Sequence, residues 1–506
     1  MATVTLRPPV EAFRRTGWLP VSQEVCNGYM KRLKEVTRPT KRVPSPGTIY
    51  DGVDKAPELL EPIKEFKDFI ETNAVVYTDV VRMFDEITDF PSTYQEMLLV
   101  FNEIFRKAPS FGSLGPPMYM VMARVMNTEG GFSAFTKQIF NHYMKRMLKA
   151  WELYLLSKDS TNVLNSDDGG WFSDKAMDAM MKEFPNRTFQ EVFICDPGAP
   201  AWGYTSYEDF FNRRFRTPEI DRPTGDIKDL TIVSAACECS LYAIQNDVKR
   251  IDELFIKDEA YSLVHLLAND ESVDSFVGGT VIQSFLNITS YHRWHAPVNG
   301  VIRKIVEIPG TYFAQAPSTI GLPIPDDDSD LPPYLKSLTY FANTAARMLI
   351  FIQADNASIG LMCFIAIGMT EISSCQATIY EGQHVNRGDE LAANIRNLEP
   401  TSLLMHPSLS LILLPKYTRY GDSIRAVAHV PLEKPNAYQE LWLSGQVVKA
   451  TRRHRVLKRE QERKKRCQCE SSTRVVSAEI IADVNATNKR TRDDIGVVVE
   501  DGLADV

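Results

Sequence analysis

The chain has 506 residues, 44% of them hydrophobic and 24% charged, enough for two or three domains around a sizeable core. Its net charge of −8 is unevenly spread: from Lys449 onward 14 Lys and Arg stand against 10 Asp and Glu, which leaves a tail of +4 on a body of −12. An acidic body argues against a broad nucleic-acid surface, and no apolar run reaches the ~18 residues of a membrane-spanning helix.

At the N-terminus, Arg7, Arg14 and Arg15 mix with Glu11 and Glu24 and surround no continuous apolar centre. The segment does not read as a secretory signal, and a cytoplasmic protein is expected. The eight cysteines, at 26, 195, 237, 239, 363, 375, 467 and 469, then read as thiols rather than a disulfide framework. Cys237/Cys239 and Cys467/Cys469 are spaced C-x-C, unlike the C-x2-C of zinc knuckles, so no metal site is expected.

The first elements are helical. Over 57–72, Leu59, Leu60, Ile63, Phe66, Phe69 and Ile70 recur at three and four residues, one face of a helix. Val76, Val80, Met83, Phe84 and Ile87 repeat the pattern, and Phe135, Ile139, Tyr143, Met147, Trp151 and Tyr154 extend it along a longer helix. Gly115-Pro116-Pro117 punctuates the chain before Met118, Met120, Met122 and Met126, which read as core filler.

Near Asp221 the texture changes. Leu230–Ser234, Thr280–Phe285, Val301–Ile308, Arg347–Ile352, Ile359–Ile367 and Ala377–Ile379 are short β-rich runs with Gly or Pro near several of them. The expected fold is α+β: a helical N-terminal domain over 1–190, a connecting segment over 191–221, a mixed, mainly antiparallel β-rich domain over 222–430, and a basic, poorly ordered tail over 431–506.

Tyr291-His292-Arg293-Trp294-His295-Ala296-Pro297-Val298-Asn299-Gly300 is the most informative segment. Two histidines three apart can share a helix face, bind a metal or be satisfied core groups. Here a β-rich run precedes them and Pro297 and Gly300 follow, so the pair ends a strand at a turn, where functional side chains concentrate and imidazole can move a proton near neutral pH.

This segment resembles the histidine signature of the phosphatidylserine decarboxylase family, and other segments agree in order. Ser206-Tyr207-Glu208-Asp209-Phe210-Phe211-Asn212-Arg213-Arg214-Phe215 with Arg222-Pro223 is similar to the family's F-x-D-F-F-x-R motif. Tyr261-Ser262-Leu263 with Leu266-Leu267 resembles its next block. Glu381–Leu391, EGQHVNRGDEL, is similar to the strand that leads into the family's cleavage site. Phe13–Trp18, Phe105–Pro109, Leu114–Pro117, Gly131–Phe135 and Gly310–Thr319 look like the fungal L-tryptophan decarboxylases of indole-alkaloid pathways. The resemblance spans about residues 10–391 and returns more weakly at Lys416–Val430.

It implies a carboxy-lyase that cleaves itself at a Gly-Ser-like step. The serine becomes a pyruvoyl group, which forms a Schiff base with the substrate amine and takes up the electrons released as CO2 leaves, the part pyridoxal phosphate plays elsewhere. By resemblance, the β-rich domain is catalytic, His295 activates the serine and His292 shapes the site. The expected substrate is an aromatic L-amino acid, L-tryptophan going to tryptamine. No pyridoxal phosphate, nucleic-acid partner or integral membrane segment is expected, and the two cleaved chains would form a heterodimer. The alternatives are a phosphatidylserine decarboxylase making phosphatidylethanolamine, held to anionic lipid by the basic tail, and an inactive or mis-spliced relative.

Two departures stand out. Ser234-Ala235-Ala236-Cys237-Glu238 occupies the place of the family's Pro-Ala-Asp-Gly, so Cys237 stands for an aspartate, and a thiol cannot stabilise imidazolium as a carboxylate does. Glu238, as a strand neighbour, points the other way. After Leu391 the chain reads Ala392-Ala393-Asn394-Ile395-Arg396-Asn397-Leu398-Glu399-Pro400-Thr401-Ser402, with no Gly between Gly388 and Gly421. Cleavage by acyl shift needs a hydroxyl or thiol after the attacked carbonyl and favours an unhindered backbone. Ser402 is the nearest candidate, by proximity only, and the expectation for this chain is that it does not mature.

Overall fold

Pro and small polar residues set the borders of the helical layer. In this computed structural model, the described residues are 4–5, 10, 13, 19, 23–37, 58–111, 116–182, 184–252, 261–286, 288–325, 330–373, 377–392, 409–415 and 425–427, all within one compact unit, Met1–Pro435. Ser402, Cys375, Cys467, Cys469 and the tail 431–506 lie outside them. The longer helices are α1 Gln23–Val36, α2 Glu61–Thr72, α3 Ala74–Asp85, α4 Tyr94–Ile104, α5 Pro117–Met126, α6 Glu129–Thr136, α7 Gln138–Leu155 and α8 Asp174–Met181. The side chains of Asn73, Thr93, Thr128 and Ser173 accept backbone N–H bonds and cap α3, α4, α6 and α8.

The apolar period predicts the buried faces of α2, α3 and α5, but the longer helix expected from Phe135 to Tyr154 is broken: Phe135 belongs to α6, and Ile139 on α7 is exposed. Ile63, Phe66, Phe69 and Ile70 are buried on α2, and Met118, Met122 and Met126 on α5 are core residues. Helix α2 begins at Glu61, later than the period suggests, because Pro62 lacks an N–H and suits the first turn. Among the described residues no helix is long and apolar enough to cross a membrane.

Among the described residues twelve strands follow the chain: β1 Val4–Thr5, β2 Ile232–Ser234, β3 Cys239–Asn246, β4 Thr280–Leu286, β5 Trp294–His295, β6 Gly300–Ile308, β7 Arg347–Ala354, β8 Leu361–Ile367, β9 His384–Val385, β10 Glu390–Ala392, β11 Leu409–Leu414 and β12 Arg425–Val427. Eight form one sheet in the order β1-β3-β4-β11-β8-β7-β6-β9, with antiparallel neighbours throughout. β5 pairs antiparallel with β10, and β12 pairs parallel with β2. The α+β class is the one the sequence predicts. Strands β7 and β8 are buried almost end to end, as strands covered on both faces are. One apolar cluster joins Phe66 and Met147 of the helices to Leu349, Phe351, Ile365 and Leu411 of the sheet.

Two of the longer strands are not legible in the sequence. β3 follows the Cys237-Glu238 departure, and β11 lies in the stretch that reads as foreign to the family. Yet β11 is a central strand, Leu409–Leu414 pairing with β4 on one side and β8 on the other, with Leu411, Leu413 and Leu414 fully buried. Ala377–Ile379, expected as a strand, is instead a short connection whose Thr378 N–H donates to the Leu391 carbonyl.

Candidate active site

The motif segments, far apart in sequence, are tied together by buried arginines. Arg213, from the FFNRRF segment, donates through Nη2 to the carbonyls of Thr289 at 2.6 Å and Ser290 at 3.0 Å, just ahead of the histidines. Its guanidinium lies 4.7 Å from the Phe193 ring centre, so π faces partner a charge removed from water. Arg293 donates to Asn212 O at 2.9 Å and to Glu390 Oε1 at 2.7 Å. It thereby joins the FFNRRF, histidine and GDEL segments. Arg387 spreads its guanidinium over the carbonyls of Thr224, Asp226, Asp229 and Ile232. Five donors in a rigid fork suit such a clamp, and it holds the chain leading into β2 against the turn before β10.

A cavity of about 550 Å³ opens among these segments, its wall including Phe215, Arg222, Cys237, Glu238, Tyr291 and His295. That volume is within the range of small-molecule sites. His295 is half-buried on β5. Its Nδ1 is 2.8 Å from Gly388 O and its Nε2 is 3.1 Å from the Tyr291 hydroxyl. A carbonyl can only accept, so Nδ1 carries the proton. In the neutral ring Nε2 is then the acceptor and Tyr291 the donor. Burial pushes the Tyr291 phenol up, which keeps it a donor. Burial also holds His295 below the ordinary imidazole value, against the pull of the Gly388 bond and the nearby Glu390. The site therefore presents a neutral imidazole with a fixed tautomer.

His292 plays a different part. Its ring is buried and stacks on Phe211 at 4.1 Å, with Nε2 2.9 Å from Ile288 O. It braces the loop between β4 and β5, whereas His295 faces the cavity. The two expected site histidines thus sit on the same short segment in different surroundings.

The expected aspartate position has a new partner. The Cys237 thiol donates to Ser410 Oγ at 3.4 Å. Hydrogen bonding with Cys239, followed by burial, pushes the thiol up, so it is uncharged. Glu238 does not reach His295: its carboxylate is paired with Arg222 and accepts the Tyr291 N–H at 3.0 Å. The hydrogen bond of His295 Nδ1 goes instead to the Gly388 carbonyl. Sequence reasoning missed Gly388, Tyr291 and Ser410. Tyr291 stands in the motif four residues before His295, a usable signal; nothing in L-S-L marks Ser410, whose neighbours come only from β11 lying beside the segment that leads into β3.

Gly388 has φ +94°, and a Cβ there would lie 2.4 Å from Thr224 Cγ2. Gly388→Ala is expected to cost about 1–3 kcal/mol from the backbone conformation alone, with the collision added. Denaturant unfolding checks this: Thr224→Ser in the same chain should recover the steric share and leave the backbone share.

A pH effect follows from His295. Its folded value lies below the unfolded one of about 6.5, so the unfolded state binds the proton more readily. The stability tied to the neutral ring is complete above pH ~6.5 and is lost as pH falls through the folded value. NMR of the imidazole should show titration below 6.5, and the acid-side loss of Tm should shrink in His295→Asn.

Comparison with known proteins accords with this geometry. Residues 60–180 match one family model described as phosphatidylserine decarboxylase, and residues 207–393 match a second of the same description. The chain is 50% identical to an L-tryptophan decarboxylase of Psilocybe cubensis over 83% of its own length and 95% of the relative's. It is 51% identical to one of Psilocybe cyanescens over 84% and 95%. A decarboxylase of Amanita muscaria, iboD, is 40% identical over 55% of this chain and 80% of the relative.

Proposed function

The chain belongs to the phosphatidylserine decarboxylase family, and from that premise we propose that its site is built to decarboxylate an aromatic L-amino acid, with L-tryptophan the substrate and tryptamine the product. One observation carries the choice of substrate: two relatives matched over more than four fifths of the chain bear that activity in their names. The cavity is of a size for an amino acid and mixes aromatic walls, Phe215 and Tyr291, with the charges of Arg222, Glu238 and Arg387, features that suit an aromatic zwitterion.

In this reading His295 Nε2 is the atom that holds or moves a proton at the reacting centre, and Tyr291 O–H parks on it until substrate or the attacked serine takes its place. Gly388 fixes the tautomer and His292 braces the segment. In a matured form, a pyruvoyl group would supply the carbonyl that takes up electrons as CO2 leaves. By the family resemblance its serine would come from the arm that connects β10 to β11. Ser402 falls in that arm, and Ser410, the second residue of β11, touches the cavity-lining Cys237. Cleavage in the arm would leave β11 hydrogen-bonded between β4 and β8, so the two pieces would stay together as a heterodimer. We assign the protein to the cytoplasm on the same reading.

The test uses a chain whose β10–β11 connection is replaced by one carrying the family's Gly-Ser step. It is expected to release tryptamine from L-tryptophan in solution and to leave phosphatidylserine vesicles unchanged. Phosphatidylethanolamine without tryptamine would transfer the site to the lipid reading.

A further inference from the structure

Glu238 stands one residue past Cys237, where the family resemblance puts an aspartate. Its carboxylate does not touch His295, yet a continuous chain of contacts joins the two. Residues 236–238 form a bend ahead of β3, and from it the carboxylate meets the guanidinium of Arg222. The two side chains are 9% and 11% exposed, so each charge is largely stripped of water and depends on the other. Arg222 is held in turn. It donates to Asp221 O at 2.6 Å, and its guanidinium lies 4.6 Å from the Phe184 ring centre and 5.0 Å from that of Phe215, where π faces favour a cation. A carboxylate fixed in this way is a stationary acceptor.

Tyr291 is what it holds. The residue lies between the turn at 288–289 and β5, outside any strand, so no ladder supplies its N–H with a partner. Glu238 Oε2 accepts that N–H at 3.0 Å, a charge-assisted bond. The Tyr291 ring packs on Phe215 at 4.3 Å, the ring that Arg222 also covers, and its hydroxyl reaches His295 Nε2 at 3.1 Å. Arg222, Glu238, Tyr291 and His295 all line the larger cavity. The chain of contacts therefore runs along the site from a buried ion pair to the imidazole.

We infer that Glu238 is a positioning residue of this site: through the Tyr291 N–H it sets the phenol on His295 Nε2, and so decides when that nitrogen is free to take a proton. A phenol that donates to Nε2 requires that nitrogen to be unprotonated, so the bond favours the neutral ring. It acts in the same direction as the burial that holds His295 below its ordinary value. The other charges that face the ring are Glu390 and Asp389, at the start of β10 and just before it, and Arg293 of its own segment. The carboxylate beside the lost aspartate thus reaches His295 through an intervening tyrosine. Its bearing on catalysis rests on the proposed role of His295 Nε2; the placing of the phenol does not.

NMR titration of the His295 imidazole in the full chain tests this. Glu238→Ala alone would strand Arg222 as a buried charge, so Arg222→Met is made with it; the pair carries no net charge, and Glu390, Asp389 and Arg293 stay in place. In the paired variant the His295 midpoint is expected to rise toward the ordinary value of about 6.5, as it should in Tyr291→Phe. Added to Tyr291→Phe, the paired change should raise it no further, because the phenol through which Glu238 acts is already gone. No rise in the paired variant, no rise in Tyr291→Phe, or an equal rise with and without the phenol overturns the inference. Should the paired variant not fold, Glu238→Gln carries the test: a neutral side chain of the same size holds the N–H more weakly, and an unmoved midpoint there overturns the inference equally. Titration needs no turnover, so failure here leaves the decarboxylase reading standing, and failure of that reading leaves the titration result as it is.

Discussion

Intact-mass measurement of the purified chain is expected to return one species at the full 57.3 kDa and no tryptamine from L-tryptophan. The chemistry leaves little room. Without a hydroxyl on the residue after the attacked carbonyl no ester forms, and without the ester there is no β-elimination and no pyruvoyl group. Lysine amines cannot replace a ketone as electron sink. Tight binding of substrate would not compensate, because only interactions specific to the transition state lower the barrier. Between Gly388 and Gly421 there is no Gly-Ser or Gly-Thr step. Two fragments, the smaller beginning with a pyruvoyl group at position 402 or 410, would overturn this expectation and make the chain an active decarboxylase as it stands.

The second large effect belongs to His295. In a chain given a Gly-Ser-bearing connection, His295→Ala should slow self-cleavage by ~10²–10⁴, the range for removal of a general base. Tyr291→Phe separates two roles. If Tyr291 only parks on Nε2, its loss leaves cleavage intact or speeds it; a loss as large as that of His295→Ala would make the phenol part of the proton path. His292→Ala should act through the lost Phe211 stack and Ile288 bond, lowering stability together with rate. Band intensities on a denaturing gel over time, set beside unfolding curves, read all three. Cleavage at an undiminished rate in His295→Ala would refute the assignment.

Sequence by itself determined the helix faces, because a period of 3.6 in large apolar residues has one way to be buried; Ile63, Phe66, Phe69 and Ile70 on α2 show it. It also determined the family, through short motifs whose residue types are chemically particular, and the segment that bears His292 and His295. What it did not determine was the partnership of those residues. Arg293 meets Asn212 and Glu390, 81 and 97 residues away in sequence, and no local rule carries that distance. The sequence offers only side chains as partners for His295, whereas its Nδ1 bonds a backbone carbonyl, that of Gly388. Every residue but proline has the same acceptor and donor, so only the fold says which one is aimed. The clearest case is β11. Read along the chain, 392–414 interrupts the family; in the sheet, Leu409–Leu414 fills the slot between β4 and β8. A strand covered on both faces needs apolar residues of suitable size rather than particular ones, so the stretch can lose its resemblance and keep its place. The cleavage chemistry has no such tolerance, since one hydroxyl at one peptide either is there or is not.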